Sequence, residues 1–243
     1  MNNNENIIKL EQVVFSYPGS NITTLNHLDL EINRGDRLGM MAPNGSGKTT
    51  LLHTIMGLCK PNSGIIKIFG KQLKNEKDFA PIRTKIGLLF QDSDDQLFCP
   101  TVLEDVAFGP LNLGFSQEDA IKIARETLAK LGIEDFEQSV THRMSGGQKR
   151  LVALAAVLAM QPEVLLLDEP TAGLDNKVKN KLINILNDID ITFLVISHEF
   201  DFIKAVTDKI YSMEEGRVLT DDKIHIHRHE HVHKHGRHPH VHK

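Results

Sequence analysis

Cysteines and long apolar segments are both scarce in this chain. Two of its 243 residues are cysteines, Cys59 and Cys99, and their separation does not match the spacing of metal ligands. This scarcity predicts a reduced, cytosolic protein. The longest apolar run, residues 151–160, is far shorter than the ~20 residues that cross a bilayer. Residues 1–5 lack the basic and apolar regions of a signal peptide, so we expect any membrane role to come through a partner.

Positive charge is also in short supply over most of the chain. The formal net charge of the chain is −4. Residues 225–243 carry a net charge of +3, so the net charge of residues 1–224 is −7. An acidic body of this kind argues against nucleic acid as the main ligand. Hydrophobic residues make up 40% of the sequence. That content suits one large α/β domain, or a core domain with a smaller lobe.

A glycine-rich segment, MAPNGSGKTTLL at residues 41–52, follows a strand-like run and leads into a helix-like one. This context predicts a phosphate-binding loop, in which backbone N–H groups point at a polyphosphate on the positive end of the helix. Lys48 adds a charge for the outer phosphates, and Thr49 offers a hydroxyl to Mg²⁺. The predicted ligands of the nucleotide in this loop are Asn44, Gly45, Ser46, Gly47, Lys48, Thr49 and Thr50.

One residue of this loop departs from the usual G-x-x-x-x-G-K-[ST] pattern. Ala42 stands where the pattern has its first glycine. Because Pro43 pushes Ala42 toward an extended conformation, the extra β-carbon costs little there. A glycine-rich turn between a core strand and a core helix is the alternative that the motif alone leaves open.

Polar side chains follow buried, strand-like runs at three further points. These side chains are Gln91, the pair Asp168 and Glu169, and His198. The carboxyl ends of parallel strands face the ligand crevice of an α/β sheet. We therefore expect the four side chains to meet the phosphate-binding loop at one edge of the sheet.

Each of these side chains has an expected role and a structural alternative. Asp168 is expected to hold Mg²⁺ through its water shell, and Glu169 to polarise the attacking water, since adjacent side chains on a strand point opposite ways. Gln91 is assigned to Mg²⁺ or the attacking water, and His198 to a hydrogen bond with a γ-phosphate. The alternatives are solvated carboxylates, a structural amide and a core histidine.

Two other segments are expected to contact the nucleotide. Ser145, Gly146 and Gly147 open a predicted helix at residues 149–160, and a serine cap with two glycines leaves bare N–H groups that form a second anion-binding site. A merely well-capped helix is the alternative. Tyr17 precedes a turn, where its ring could stack on a flat base; the alternative is a tyrosine packed at a strand end.

Periodicity outlines the rest of the fold. Helical spacing over residues 101–131 predicts a helical insertion between strands, and the first two strands are expected to be antiparallel. Residues 71–78 are interpreted as a charged surface segment. The other predicted helices are residues 50–56 and 177–186. The predicted strands are residues 7–15, 25–32, 37–41, 65–69, 86–90, 164–169 and 191–196.

Taken in order, these motifs resemble an ATP-binding cassette (ABC) ATPase over residues 7–220. The matching motifs are the adenine-stacking Tyr17, a Walker A loop at 42–49, Gln91 as the Q-loop, a signature at 144–148 with Met for the usual Leu, a Walker B strand ending in Asp168 and Glu169, a D-loop at 172–175 and His198 as the switch histidine. Seven motifs in the right order make the resemblance very specific.

The resemblance implies both a fold and an assembly. The implied fold is α/β, with a RecA-like parallel-sheet core, an N-terminal antiparallel β subdomain and a helical subdomain at about residues 92–160, within a domain at 5–222. The implied assembly is a head-to-tail homodimer that sandwiches ATP and Mg²⁺ between the signature of one subunit and the Walker A loop of the other.

Residues 90–98 and 101–112 are similar to the ATPases of energy-coupling-factor transporters. These resemble importer motors that drive uptake of vitamins, or of cobalt and nickel ions, through a transmembrane coupling protein and a substrate-capture membrane protein. The implied location is the cytoplasmic face of the cell membrane. The acidic cluster of Asp92, Asp94 and Asp95 would suit basic residues of the coupling protein; a solvated loop is the alternative. A soluble ABC protein is the remaining function class.

Histidines crowd the last residues of the chain, mostly in an H-x-H pattern. Alternate residues of an extended chain share a face, so neighbouring imidazoles could chelate Ni²⁺, Co²⁺, Cu²⁺ or Zn²⁺. Residues 223–243 lack the apolar content to fold alone, which predicts a disordered metal-binding tail. This tail favours a metal cargo over a vitamin. The candidate ligands are His225, His227, His229, His231, His233 and His235.

Overall fold

A computed structural model describes residues 5–219 of the chain, and two sheets organise it. In chain order, the strands are β1 (Asn6–Phe15), β2 (Leu25–Asn33), β3 (Arg37–Met41), β4 (Ser63–Ile68), β5 (Lys71–Leu73), β6 (Ile86–Leu89), β7 (Val164–Asp168), β8 (Thr192–Ser197), β9 (Lys209–Glu214) and β10 (Arg217–Leu219). An antiparallel sheet has the order β2-β1-β4-β5, and a larger sheet has the order β10-β9-β3-β8-β7-β6. In the larger sheet, every pair from β9 to β6 is parallel and β10 is antiparallel.

Helices cover the parallel sheet and extend beyond it. They are α1 (Lys48–Ile55), α2 (Glu76–Arg83), α3 (Val102–Asn112), α4 (Gln117–Lys130), α5 (Gly146–Ala159), α6 (Asn176–Asp188) and α7 (Phe200–Val206), with single 3₁₀ turns at Glu134–Phe136 and Thr141–Arg143. Within residues 5–219, no helix is both long and apolar enough to span a bilayer.

Side-chain caps determine where several helices begin. Thr101 and Glu104 form a reciprocal capping box at the start of α3, and Ser116 caps α4. Such caps satisfy N–H groups that have no partner within the helix. Residues 101–131, where the sequence predicts a helical insertion, therefore contain two helices, with Gly114 at φ 92° between them.

Residues 71–78 form a mostly exposed, charged segment, as predicted, but they also contain secondary structure that the sequence did not reveal. This segment forms β5, which pairs with β4, and the first turn of α2. Asn75 caps α2 by accepting a hydrogen bond from the Lys77 N–H. Sequence periodicity missed both elements because β5 has three residues, and α2 buries only Phe79 and Ile82 among its apolar side chains.

The parallel sheet separates two hydrophobic cores, and β7 contributes to both. Val164 and Leu166 pack into the core shared with the antiparallel sheet and α1. Leu165 and Leu167 pack into the core shared with the helices on the opposite face. A strand covered on both faces needs a continuous apolar run, since successive side chains point to opposite faces. This packing fixes the carboxyl end of β7 beside the phosphate-binding loop.

Candidate functional site

The loop between β3 and α1 has the geometry of a phosphate cradle. Gly47 caps α1 at φ 100°, with no side-chain hydrogen bond to the N–H groups of the first turn. A β-carbon at Gly47 would lie 2.7 Å from the carbonyl oxygen of Thr24, so only glycine fits this position. The buried Ser46 hydroxyl has no partner among the described residues. The exposed donors of a helix N-terminus favour an anion at this place.

Lys48, Glu169 and His198 form one connected cluster. Lys48 Nζ lies 2.5 Å from Glu169 Oε1, and 3.2 Å from the side-chain oxygen of Asn44. The other carboxylate oxygen of Glu169 accepts a 2.9 Å hydrogen bond from His198 Nδ1. Glu169 is 2% exposed, whereas His198 faces solvent. The carboxylate therefore has a cation on one side and an imidazole on the other.

The expectation that Asp168 and Glu169 diverge by strand alternation was wrong. Strand β7 ends at Asp168, and Glu169 turns out of it with a left-handed φ of 45°. Its N–H donates to the Ile196 carbonyl at 2.9 Å. Because of this turn, both carboxylates reach the start of α1, where Asp168 meets Thr49 and Glu169 meets Lys48.

Thr49, Asp168 and Gln91 offer oxygen ligands at one place. The Thr49 hydroxyl donates to Asp168 Oδ2 at 2.8 Å, and the buried Asp168 Oδ1 has no partner among residues 5–219. Burial raises the pKa of Asp168 above its ordinary value. All three residues line one open cavity of about 860 Å³. A hydroxyl, an unpartnered carboxylate oxygen and an amide are the hard ligands that Mg²⁺ prefers, so these residues fit the ion.

Tyr17 lies beside the phosphate-binding loop. Its hydroxyl is 2.9 Å from Thr50 Oγ1, and its ring meets Phe15 edge to face at a centroid distance of 4.9 Å. Tyr17 is 46% exposed. Its placement leaves a partly exposed aromatic surface next to the loop, which is what contact with a base requires.

At the start of α5, two side chains cap the helix, while the space around the backbone of Gly146 is free of other atoms. Ser145 accepts from the Gln148 N–H, while the Gln148 side chain accepts from the Ser145 N–H. A β-carbon at Gly146 would have no atom within 4 Å, whereas one at Gly147 would lie 3.1 Å from Val178. Gly146 also lines the cavity that holds Thr49 and Asp168. Gly146 is thus the more open of the two glycines.

Several residues of this cavity were not singled out from the sequence. Arg150, on α5, donates hydrogen bonds to the backbone carbonyls of Phe90 and Gln91. His53 follows Thr49 by one helical turn and stacks edge-on with Phe90 at 6.3 Å. The spacing of four residues was the available signal for His53, because such pairs share a helix face.

The acidic cluster lies within the described residues, whereas the candidate metal ligands of the histidine tail do not. Asp92, Asp94 and Asp95 line the same cavity, and Asp94 Oδ1 lies 2.5 Å from Lys149 Nζ. The candidate nickel or cobalt ligands at residues 225–235 lie outside the described residues. Within residues 5–219, no group of three or more His, Cys, Asp or Glu side chains is placed to hold a metal ion.

Comparison with known proteins shows the family to which this chain is similar. A family model described as ABC transporter matches residues 25–172. A protein of Nitratidesulfovibrio vulgaris described as a "Putative ABC transporter ATP-binding protein" is 50% identical to this chain over 214 residues. The match covers 88% of this chain and 78% of that protein. The energy-coupling factor transporter ATP-binding protein EcfA of Methanocaldococcus jannaschii is 41% identical over 219 residues, with coverages of 88% and 78%.

Solved structures agree with the fold. CbiO1 of Clostridium perfringens, described as part of the ABC transporter complex cbiONQ, matches with a TM-score of 0.80 and 35% identity over 88% of this chain and 87% of that chain. The dimeric bacterial ABC cassette MJ0796 matches with a TM-score of 0.79 and 30% identity over 87% and 96%. The predicted fold class is thereby confirmed. The chain belongs to the ABC transporter family and is one of its ATP-hydrolysing subunits.

Proposed function

We propose that this chain is the motor subunit of an energy-coupling-factor importer, which couples ATP binding and hydrolysis to uptake of nickel or cobalt ions. The observation that carries the motor assignment is the contact of both strand-end carboxylates with the first turn of α1. Asp168 contacts Thr49, and Glu169 contacts Lys48. The resemblance to EcfA and CbiO1 supports the transporter class, and the histidine tail supports a metal cargo.

The phosphate-binding loop and Tyr17 bind ATP in this proposal. The N–H groups of residues 44–50 receive the phosphates, and the ring of Tyr17 contacts the adenine. Thr49, Asp168 and Gln91 would hold Mg²⁺, which would supply positive charge to the phosphates. Lys48 exchanges its contact with Glu169 for one with the outer phosphates, which frees an oxygen of the carboxylate.

Glu169 then acts as the general base for the attacking water. A carboxylate accepts hydrogen bonds only, so His198 Nδ1 must be the donor to Glu169 Oε2. This contact holds the carboxylate in place. In the neutral imidazole, the other ring nitrogen is then an acceptor. A hydrogen bond from His198 to a γ-phosphate therefore requires either the imidazolium form or release of Nδ1 from Glu169.

Two copies of the chain complete the site in this proposal. ABC cassettes work as dimers, as in the solved MJ0796 dimer. The N–H groups of Gly146 and Gly147 in one subunit would face the γ-phosphate held by the phosphate-binding loop of the other, together with the Ser145 hydroxyl. The open space around Gly146 supports this arrangement, because a phosphate oxygen can approach the backbone there.

An apolar groove beside α3 is the proposed docking site of the transmembrane coupling protein. The groove has a volume of about 320 Å³, and Leu58, Phe98 and Phe108 line it with exposed side chains. Asp105 also lines the groove, and its buried Oδ2 has no partner among the described residues. A helix with apolar residues and one hydrogen-bond donor would match this surface. Docking there holds the chain at the cytoplasmic face of the membrane.

The test is reconstitution with the membrane proteins that co-purify with the full-length chain. ATP-dependent uptake of radiolabelled Ni²⁺ and Co²⁺ into vesicles is measured, with Lys48→Ala as the inactive control. Metal uptake that requires Lys48 is expected. Uptake of a vitamin without metal uptake would contradict the cargo but leave the motor assignment intact. Co-purification with no membrane protein would contradict the importer assignment.

A further inference from the structure

A buried arginine connects the signature helix to the loop that carries Gln91. Arg150 is 4% exposed, and its guanidinium donates to the carbonyl oxygen of Phe90 at 2.5 Å and to that of Gln91. Within residues 5–219, it forms no ion pair with a carboxylate. Removing a guanidinium from water is costly. An arginine held at this cost by two carbonyls determines where those carbonyls lie.

The two carbonyls belong to the segment that places Gln91. Strand β6 ends at Leu89, so Phe90 and Gln91 have left the ladder of the sheet. The side chain of Gln91 faces the open cavity. Its backbone is tied to α5 rather than to the sheet, and its position therefore follows α5.

Arg150 is also one helical turn from the signature. Gly146 and Arg150 are four residues apart on α5, a distance of about 6 Å along the axis of a rigid helix. The N–H groups proposed to face the partner's nucleotide and the carbonyl of Gln91 are thus joined by one turn of helix and two hydrogen bonds. A shift of either end is transmitted to the other.

We propose that Arg150 is a positioning residue, which couples the engagement of Mg²⁺ by Gln91 at the chain's own nucleotide to the presentation of the signature to the partner's nucleotide. This inference rests on the proposed roles of Gln91 and the signature. Coupling of this kind is reciprocal, because each site changes the affinity of the other by the same factor.

The geometry explains why the residue is an arginine and which neighbour serves as a control. Two donors of one planar fork reach two successive carbonyls, a fixed geometry that the compact point charge of a lysine on its flexible stem does not reproduce. The adjacent Lys149, whose side chain is 15% exposed, also contacts the loop, but through the carboxylate of Asp94, which is 67% exposed. An ion pair with one partner in solvent is screened and contributes little. Lys149→Met therefore removes a neighbouring cation without removing the link between α5 and Gln91.

The experiment compares Arg150→Met, Arg150→Lys, Lys149→Met and Gln91→Ala in the full-length chain assembled with its membrane partners. ATPase rates are measured against Mg²⁺ and against ATP, and fluorescent-nucleotide binding is measured without Mg²⁺. For Arg150→Met we expect the half-saturating Mg²⁺ concentration to rise about fivefold or more, the lower end of typical coupling. The Hill coefficient for ATP should fall toward 1, with nucleotide affinity within about twofold of the wild type. Arg150→Lys should be intermediate and Lys149→Met unchanged.

A double variant separates positioning from general stability. If Arg150 acts through Gln91, Arg150→Met should add no further shift in Mg²⁺ dependence to Gln91→Ala. Additive shifts, or equal losses in Lys149→Met and Arg150→Met, would overturn the inference. If Gln91→Ala alone leaves the Mg²⁺ dependence unchanged, the proposed role of Gln91 fails first. Should Arg150→Met not fold, the same cycle with Arg150→Lys decides, because it keeps the charge.

Discussion

Lys48 is the residue whose partner changes most in the proposed cycle. Its ammonium group and the Glu169 carboxylate are both nearly fully buried. A buried ion pair is weak evidence for stability, since the cost of desolvation offsets the attraction. We infer that this pair serves the reaction, because phosphate oxygens compete with Glu169 for the ammonium group. The base is then released only when nucleotide is bound.

Glu169→Gln should retain ATP binding and lose nearly all turnover. The amide keeps the shape of the side chain but cannot accept a proton from water, so we expect kcat to fall by roughly 10²–10⁴-fold, the usual contribution of a general base. A nucleotide-locked dimer should accumulate. The matched control is Glu163→Gln at the opposite end of β7, where the carboxylate pairs with Lys85 and Arg34. Near-wild-type ATPase activity in Glu169→Gln would contradict the assignment.

Gly146→Asp should abolish hydrolysis without lowering the melting temperature. The new side chain has open space, and a carboxylate at a helix N-terminus stabilises the helix while repelling a phosphate. Gly147→Asp is a poorer probe, because its β-carbon would press on Val178. Mixing Gly146→Asp with Lys48→Ala should restore one intact composite site per mixed dimer. A mixture as inactive as its components would show that each site lies within one chain.

Asp105→Asn should stabilise the purified chain at neutral pH. Burial raises the pKa of Asp105, so its ionised form is disfavoured in the folded state. Its Oδ1 accepts hydrogen bonds from the N–H groups of Phe98 and Cys99. The amide oxygen can accept both. Below about pH 4, the carboxyl is protonated in both the folded and the unfolded state. The gain in stability of the variant over the wild type should therefore appear only as the pH rises above that value. Thermal unfolding from pH 4 to pH 8 measures it, and lower stability of the variant at pH 7 would be the contrary result.

At the scale of elements, α5 and β6 depend on close approach. Gly87, in β6, has no room for a side chain, since a β-carbon there would lie 2.3 Å from a methyl group of Val157 on α5. The helix therefore lies directly against the strand. Arg150 reaches the end of the same strand because of this approach. One glycine thus sets a distance on which the position of Gln91 depends.

Gly87→Ala should lower the free energy of unfolding by about 1–3 kcal/mol, the usual cost of overpacking a core. Val157→Ala in the same chain should recover part of this loss by removing the opposing methyl groups. Gly146→Ala is the control, as its β-carbon meets nothing. Chemical denaturation of the purified variants gives the comparison. A Gly87→Ala protein as stable as the control would show that the β6–α5 packing is looser than the structure has it.

At the scale of the whole molecule, the two hydrophobic cores hold different sets of elements together. One core joins the antiparallel sheet to α1, and the other joins the parallel sheet to the helices that include α5. The residues proposed to touch nucleotide lie between Tyr17 and His198, and the described fold ends at Leu219. The domain limits of 5–222 and 92–160 remain predictions. So does the separate role of the histidine tail.

Deletion of residues 225–243 should leave ATP hydrolysis nearly unchanged and remove most Ni²⁺ or Co²⁺ binding by the full-length chain. The deleted segment holds nine histidines, and an imidazole must be neutral to bind a metal. Binding should therefore weaken as the pH falls through about 6.5. Calorimetric titration of both forms at two pH values measures this. Equal metal binding by the shortened chain would remove the main reason for preferring a metal to a vitamin as cargo.

The sequence by itself determined the family, the parallel core and the chemical types at the site. The phosphate-binding loop needs only a tight turn between neighbouring elements, and the Gln91, Asp168 and His198 positions follow from where apolar runs stop. The serine cap of the signature helix was likewise predicted, whereas its reciprocal partner Gln148 was not singled out, although a serine followed three residues later by a glutamine is a capping-box pattern. Short, weakly apolar elements such as β5 and α2 were missed, since they offer too few positions for a period to appear.

Only the tertiary structure decided how these residues meet. Lys48 and Glu169 are 121 positions apart in sequence, and Arg150 and the Phe90 carbonyl are 60 apart. Whether such pairs touch depends on the order of the strands, on the packing of α5 against β6 and on the left-handed turn at Glu169. These features arise from contacts of the whole chain. No local pattern encodes them, because propensity and periodicity report only neighbours along the sequence.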